Sequence, residues 1–244
     1  MPRPSHDTTL IWLLPEPAGR QPRYSRARIA RQAVGIADAE GFAAVTMKRI
    51  ATELGAATMT LYYYVRNKAD IVALMQDAIF EDVLIPAGQL PPAWREALTL
   101  ITRRTRDALI SHPWAIASLN DAQLGPNALR HYEQSLAALA ATDLSYPQKT
   151  ELTGIVDDYV AGAAAHAIEA QERLRAATKN PALVAEAMTY GQRLLATGEF
   201  PQLQALAEEA LATGRQPTPL ENQDQQFEAG LAALLDGIAK RYQC

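Results

Sequence analysis

TMKRIATELGAATMTLYYYVRNKADIVALM, residues Thr46 to Met75, decides the fold. Thr46 is a good N-cap, and Met47, Ile50, Ala51 and Leu54 recur at three and four spacing, the inward face of a short helix that Gly55 stops. A further helix of about two turns is predicted from Ala57 to Tyr63, and Asn67 with Asp70 three residues on gives a capping-box-like start to a longer one reaching Leu84. Two short helices about a glycine turn make a helix-turn-helix, whose geometry suits the major groove of DNA. The first helix then lies across the phosphates, and the second brings Thr58, Met59 and Thr60 to base edges. Hydroxyls accept or donate there, and a methyl-bearing chain packs on thymine. Tyr62 and Tyr63 would direct their phenols to phosphate oxygens, with Lys48 and Lys68 neutralising backbone charge from opposite sides. An isolated tyrosine triplet ordinarily packs a small core. Here it follows a helix-glycine-helix pattern in a basic segment, so contact with DNA by at least two of the three is expected, with Tyr64 turned inward or to the domain edge.

The charge distribution supports this reading. The net charge of −4 argues by itself against nucleic acid, yet residues 1 to 68 carry ten basic and five acidic side chains, a local +5, leaving −9 for residues 69 to 244. One end suits a polyanion and the other would be repelled by it. Upstream of the motif, a helix is predicted from a Ser25 cap to Glu40, burying Ile29, Ala33, Ile36 and Ala37 and ending at Gly41. Residues 1 to 22 contain five prolines and are expected to form a flexible basic arm, which through Arg20 and Arg23 would enter a neighbouring minor groove or add general attraction.

Downstream, proline and glycine mark off helices at about 92 to 111, a short one after Pro113, then 126 to 141, 147 to 176, 181 to 196, 201 to 213 and 221 to 242. Strand alternation of useful length is absent, so the chain reads as all-α. A 48% hydrophobic composition is ample for a core. The apolar run from Leu10 to Leu14 is too short for a membrane span or a secretory core, so no transmembrane helix and a cytoplasmic location are expected. Cys244, the single cysteine, closes no intrachain disulfide and anchors no metal cluster. No nucleophile elbow, phosphate loop, acid pair or metal-ligand spacing appears, so an enzyme is not expected.

The quoted stretch resembles the DNA-binding domain of the TetR family of repressors, whose pattern runs from a Thr or Ser cap through an Ile/Val-Ala pair and Leu-Gly to Leu-Tyr-x-x-Val/Phe-x-x-Lys. Thr46, Ile50-Ala51, Leu54-Gly55, Leu61-Tyr62, Val65 and Lys68 stand at those places. By resemblance, Lys48, Thr58, Met59, Thr60, Tyr62, Tyr63 and Lys68 fall on the family's DNA-contacting positions, while Met47 replaces a polar contact residue of tetracycline-type repressors. His112-Pro113-Trp114, Gly125-Pro126-Asn127-Ala128-Leu129 and Asp158-Tyr159-Val160 resemble the tetracycline-repressor-like branch of regulatory domains over residues 90 to 175. The arm at 1–22 extends beyond the minimal repressor, and the resemblance implies a three-helix DNA-binding domain with its connecting helix at 23–84 and a larger helical bundle for dimerisation and ligand binding at 85–244. It implies a ligand-responsive regulator, a repressor that binds a palindromic operator as a homodimer and is released by a small lipophilic inducer. The alternative is a DNA-binding regulator controlled by a protein partner, with no small-molecule ligand.

The resemblance also implies an inducer pocket in the larger domain. Trp114, Leu119, Tyr132, Leu136, Tyr159 and His166 are suited to surround a flat lipophilic ligand, with Asn120 and Gln123 as polar fixers, although each is individually common core material. His112, His131 and His166 form no i, i+4 pair with one another or with another ligating side chain, so no metal or other cofactor is expected. One short reading helix gives a small interface, and operator-level affinity needs two half-sites. The last helix, with Phe227, Leu231, Leu234, Leu235, Ile238 and Tyr242 in one stripe, together with Ile155, Val156, Val160, Ala163 and Ala164, would build a four-helix bundle across a twofold axis or pack within its own chain.

Overall fold

The computed structural model describes residues 10–17, 23–118, 125–214 and 221–243, and these contain helices and turns but no strand. The helices are α1 (Arg26–Glu40), α2 (Met47–Leu54), α3 (Thr58–Leu61), α4 (Lys68–Val83), α5 (Trp94–Ser111), α6 (Trp114–Ser118), α7 (Pro126–Ala138), α8 (Tyr146–Lys179), α9 (Pro181–Leu195), α10 (Pro201–Thr213) and α11 (Glu221–Tyr242). Among the described residues none is long and apolar enough to cross a membrane. Contacts divide the chain into one unit of residues 1–164 with 238–244 and a second of residues 165–237.

In the first unit, side-chain caps start the N-terminal helices. Ser25 Oγ accepts from the Arg28 N–H at 3.1 Å, Thr46 Oγ1 from Arg49 N–H at 3.1 Å, and Asn67 Oδ1 from Asp70 N–H at 2.9 Å. Asp70 does not complete a capping box. Its carboxylate instead holds the Arg66 guanidinium through Nε at 2.8 Å and Nη2 at 2.6 Å, and takes the Arg66 N–H at 2.9 Å. Burial would raise the Asp70 carboxyl, but the Arg66 bonds outweigh it and hold the group below its ordinary range. Gly55 ends α2 in the left-handed region at φ 62°, which a side chain would strain.

α3 is one turn where two were predicted. Beyond Leu61 the chain tightens, with Tyr63 N–H donating to Thr60 O at 3.3 Å and Tyr64 N–H to Leu61 O at 2.8 Å. Leu61 and Val65, 0% and 1% exposed, fix this turn to the core.

α4 is buried without interruption from Asp70 to Ile79, because α1, α5 and α7 all pack on it. Its buried polar groups tie it to what surrounds it. Gln76 Nε2 donates to Ala115 O at 2.9 Å, and Asp77 takes the N–H groups of Asn127 and Ala128 at 2.8 and 3.2 Å and Asn127 Nδ2 at 2.9 Å. Asp77 therefore caps α7 from another helix. Burial pushes its carboxyl up, against the pull of those donors. Gly125, just before α7, has no room for a side chain: a Cβ would meet the Asp77 carboxylate and lie 2.6 Å from Trp12 Cζ2.

Residues 10–17 are docked, unlike the flexible arm expected of residues 1–22. Ile11 to Leu13 form a 3-10 turn with Ile11 fully buried. The Arg26 guanidinium donates to the carbonyls of Ile11, Leu14, Pro15 and Tyr64 at 2.8 to 3.2 Å, and the Arg26 N–H donates to Glu16 Oε1 at 2.6 Å. An extended, proline-broken segment has carbonyls without helical donors, and one planar fork collects them. Arg20 lies outside the described residues.

The second unit contains α9 and α10, joined through a turn at Gly198 with φ 79°. Asn180 Oδ1 caps α9 by accepting from Leu183 N–H at 3.3 Å, with Pro181 at the first position. Within α11, Phe227, Leu231, Leu235 and Ile238 are at most 4% exposed in the single chain, and Leu234 and Tyr242 of the same stripe are half-buried.

Candidate nucleic-acid interface and effector cavity

Burial of Leu61 orients the single turn of α3. With that residue inward, Met59, Tyr62 and Tyr63 are 76%, 47% and 72% exposed, and Thr58 and Thr60 are half-buried. Tyr64 is half-buried and meets Tyr63 edge-on, ring centroids 5.8 Å apart. Lys48 and Lys68 are exposed, and Lys68 Nζ lies 4.6 Å from the centre of the Phe42 ring. All seven predicted contact residues thus lie on α2, α3, the turn after it or the first position of α4, within one compact unit.

The basic residues around this surface divide into two groups. Arg49 pairs with Glu40 and Glu53, Arg31 with Glu81 and Asp82, and Arg66 with Asp70, while Arg26 is spent on carbonyls. Arg23, Arg28, Lys48 and Lys68 make no ion pair among the described residues. Sequence reading missed the place of Arg28. Tyr24 Oη donates to Gly55 O at 3.2 Å, bringing the start of α1 against the glycine turn, and the Arg23 and Arg28 guanidiniums lie 5.4 and 5.9 Å from the Tyr24 ring. The signal was the run Arg23-Tyr24-Ser25-Arg26-Ala27-Arg28, basic residues around one aromatic.

Away from this surface, four helices enclose a cavity of about 440 Å³. α4 contributes Gln76, Ile79, Phe80 and Val83, and α5 contributes Thr105, Ala108 and Leu109. Ala128, Leu129, His131 and Tyr132 of α7 and Asp157, Val160 and Ala161 of α8 complete the wall. The volume suits a small-molecule site, and its lining is mostly apolar with a few polar groups. His131 is buried, its Nε2 2.9 Å from Thr105 Oγ1 and its ring 5.2 Å from Phe80. Burial pulls its pKa down to about 4, so the imidazole is neutral near neutral pH.

That depression has a sign that can be measured. The unfolded histidine binds a proton below about pH 6.5 while the native one resists until about pH 4, so stability is lost as pH falls through that window. Between pH 7 and 5, urea unfolding should show a loss on the order of 2 kcal/mol that His131→Gln lacks.

Of the ligand residues predicted from sequence, only Tyr132 lines this cavity. Trp114 is buried elsewhere: its Nε1 donates to Asp38 Oδ1 at 2.8 Å, and its ring stacks on Phe42 with centroids 6.1 Å apart. His112 Nδ1 lies 2.9 Å from the same carboxylate. Leu136 and Tyr159 are half-buried and His166 is exposed, none of them in the cavity wall, and Leu119, Asn120 and Gln123 lie outside the described residues. Of the thirteen wall residues that sequence reading missed, four lie on α4, read only as a connecting helix, and nine on α5, α7 and α8.

Comparison with known proteins follows the same division. The family described as "Bacterial regulatory proteins, tetR family" matches residues 29–75, and that described as "Tetracyclin repressor-like, C-terminal domain" matches residues 87–242. The chain is 31% identical over 223 residues, 90% of its length and 79% of the relative's, to the HTH-type transcriptional repressor DrrR1 of Streptomyces coeruleorubidus. Among solved structures, apo ActR from Streptomyces coelicolor superposes with a TM-score of 0.63 at 27% identity, covering 89% of this chain and 97% of ActR. ActR in complex with actinorhodin gives a TM-score of 0.66 at 25% identity, covering 89% and 96%.

Proposed function

The chain belongs to the TetR family of bacterial transcriptional regulators, and on that premise we propose that it is a cytoplasmic repressor controlled by a small lipophilic effector. Two copies would place their α3 turns in successive major grooves of a near-palindromic operator, since one four-residue helix offers too little surface for operator-level affinity. Lys48, Thr58, Met59, Thr60, Tyr62, Tyr63 and Lys68 form the contact surface, extended by Arg23 and Arg28. Residues 23–84 act as the reading head and 85–244 as the regulatory and dimerisation part.

The observation that carries the reading is that α4 does two jobs. Its first residue, Lys68, is exposed beside the proposed reading turn, and three turns later Ile79, Phe80 and Val83 wall the cavity. A ligand that favours a different placement of α4 shifts the spacing of two reading heads. It does so only through its differential affinity for the two states, typically about 1–3 kcal/mol. The stack of Lys68 on Phe42 on Trp114, anchored by Asp38, gives the regulatory part a second hold on the head.

Actinorhodin, the compound held by ActR, is the natural first probe. An operator selected from random duplexes, labelled and bound to the protein, should be released on titration with actinorhodin or a related lipophilic compound, and the same compound should raise the melting temperature of the free protein. Failure of a broad panel on both measurements would overturn the effector reading in favour of control by a protein partner.

A further inference from the structure

The cavity wall contains no lysine or arginine among the described residues, and its polar groups are mostly engaged. Gln76 Nε2 is held by the Ala115 carbonyl at 2.9 Å, and Thr105 and neutral His131 bond each other at 2.9 Å. Asp157 differs. It is exposed, makes no hydrogen bond or ion pair with any described residue, and has Asp158, a like charge, as its charged neighbour. Leu129 and Tyr132, the other exposed wall residues, stand with it at the opening.

The arginines on the enclosing helices do not answer it. Arg104 of α5 donates to the carbonyls of Asp82, Val83 and Leu84, and Arg130 of α7 donates to Asn127 Oδ1. Arg106 is buried outside the wall. Apolar surroundings first, and Asp158 second, push the Asp157 carboxyl up to about 6, the response of an acid that lacks a counter-ion. Phe80 and Tyr132 add aromatic rings to the same lining, and an aromatic face attracts a cation as a carboxylate does.

We propose that this cavity selects ligands in which a protonated amine is carried on an aromatic ring system, with Asp157 as the counter-ion and Phe80 and Tyr132 as the aromatic walls. The inference rests on the effector-cavity reading and adds the ligand's charge. It makes Asp157 a specificity-determining residue: the apolar wall binds any ring system of the right size, and the acid discriminates by charge.

The test uses two three-ring fluorophores of equal size, the cation 9-aminoacridine and neutral acridone, titrated into the full-length protein without DNA at neutral pH. The wild type should bind 9-aminoacridine about tenfold more tightly than acridone. Asp157→Asn should lose that preference while keeping its acridone affinity, and Asp157→Glu should retain it. Equal affinities in the wild type, or a preference that survives Asp157→Asn, would overturn the charge assignment and leave the effector cavity standing. Binding of neither probe would also overturn it, and operator release by actinorhodin would then decide separately whether the cavity is an effector site.

Discussion

Asp77→Ala should lower the free energy of unfolding by about 3 kcal/mol, measured by urea denaturation followed by far-UV circular dichroism. The carboxylate is 6% exposed and takes three donors from the first turn of α7. Truncation strands those donors in the interior, where each unsatisfied group costs about 1–3 kcal/mol, partly relieved if water enters the space left behind. Asp77→Asn separates hydrogen bonding from shape. Its amide oxygen still accepts from a backbone N–H, but its NH₂ confronts Asn127 Nδ2, donor against donor, so about half the loss should remain. An alanine variant as stable as the wild type would show that the α4–α7 junction does not depend on this cap. Because α7 also lines the cavity, Asp77→Ala should loosen the link between α4 and the ligand wall, so operator release by an effector should become less complete.

The local signals in the sequence were strong where the chain talks to itself. Ser25, Thr46 and Asn67 each cap the helix that begins after them, and the glycine and proline marks placed every later helix within a few residues. What was hidden depends on residues far apart along the chain. Trp114 looked like a ligand platform because an indole suits one, but its partner Asp38 is 76 residues away. The arm read as unstructured because prolines deny it regular hydrogen bonds, and nothing local announces that Arg26 supplies donors to residues 11 to 15. Asp157-Asp158 is an acidic pair on a long helix, and only the fold sets one of them at an apolar cavity. α4 was found as a helix, but its burial on all sides, the reason it can serve both the head and the cavity, follows from three packing partners that no periodicity in its own sequence reveals.

The same distinction between a residue's type and its engagement governs DNA affinity. Eight arginines and lysines lie between residues 23 and 68, and composition alone would count them equally. The four spent on internal partners offer little to phosphates, since turning outward would break bonds already made. The other four, Arg23, Arg28, Lys48 and Lys68, make no ion pair among the described residues, Arg28 giving one Nη1–H to the Arg23 carbonyl at 2.9 Å, and in a twofold assembly the last three would present six cations to the operator. Each phosphate contact adds about 0.9 to the slope of log affinity against log salt, so Arg28→Ala/Lys48→Ala/Lys68→Ala should reduce that slope by about 5. Between about 50 and 200 mM salt the wild type should therefore lose roughly a thousandfold more affinity than the triple variant, for any duplex sequence, because phosphates carry no base information. Arg49→Ala, which removes a cation of equal formal charge already clasped by Glu40 and Glu53, should leave the slope unchanged. Fluorescence anisotropy over a salt series measures both. If the Arg49 variant lost as much slope as Lys68→Ala alone, the internal pairs would be yielding to DNA, and the surface would have to be redrawn around α2 with all of its cations counted.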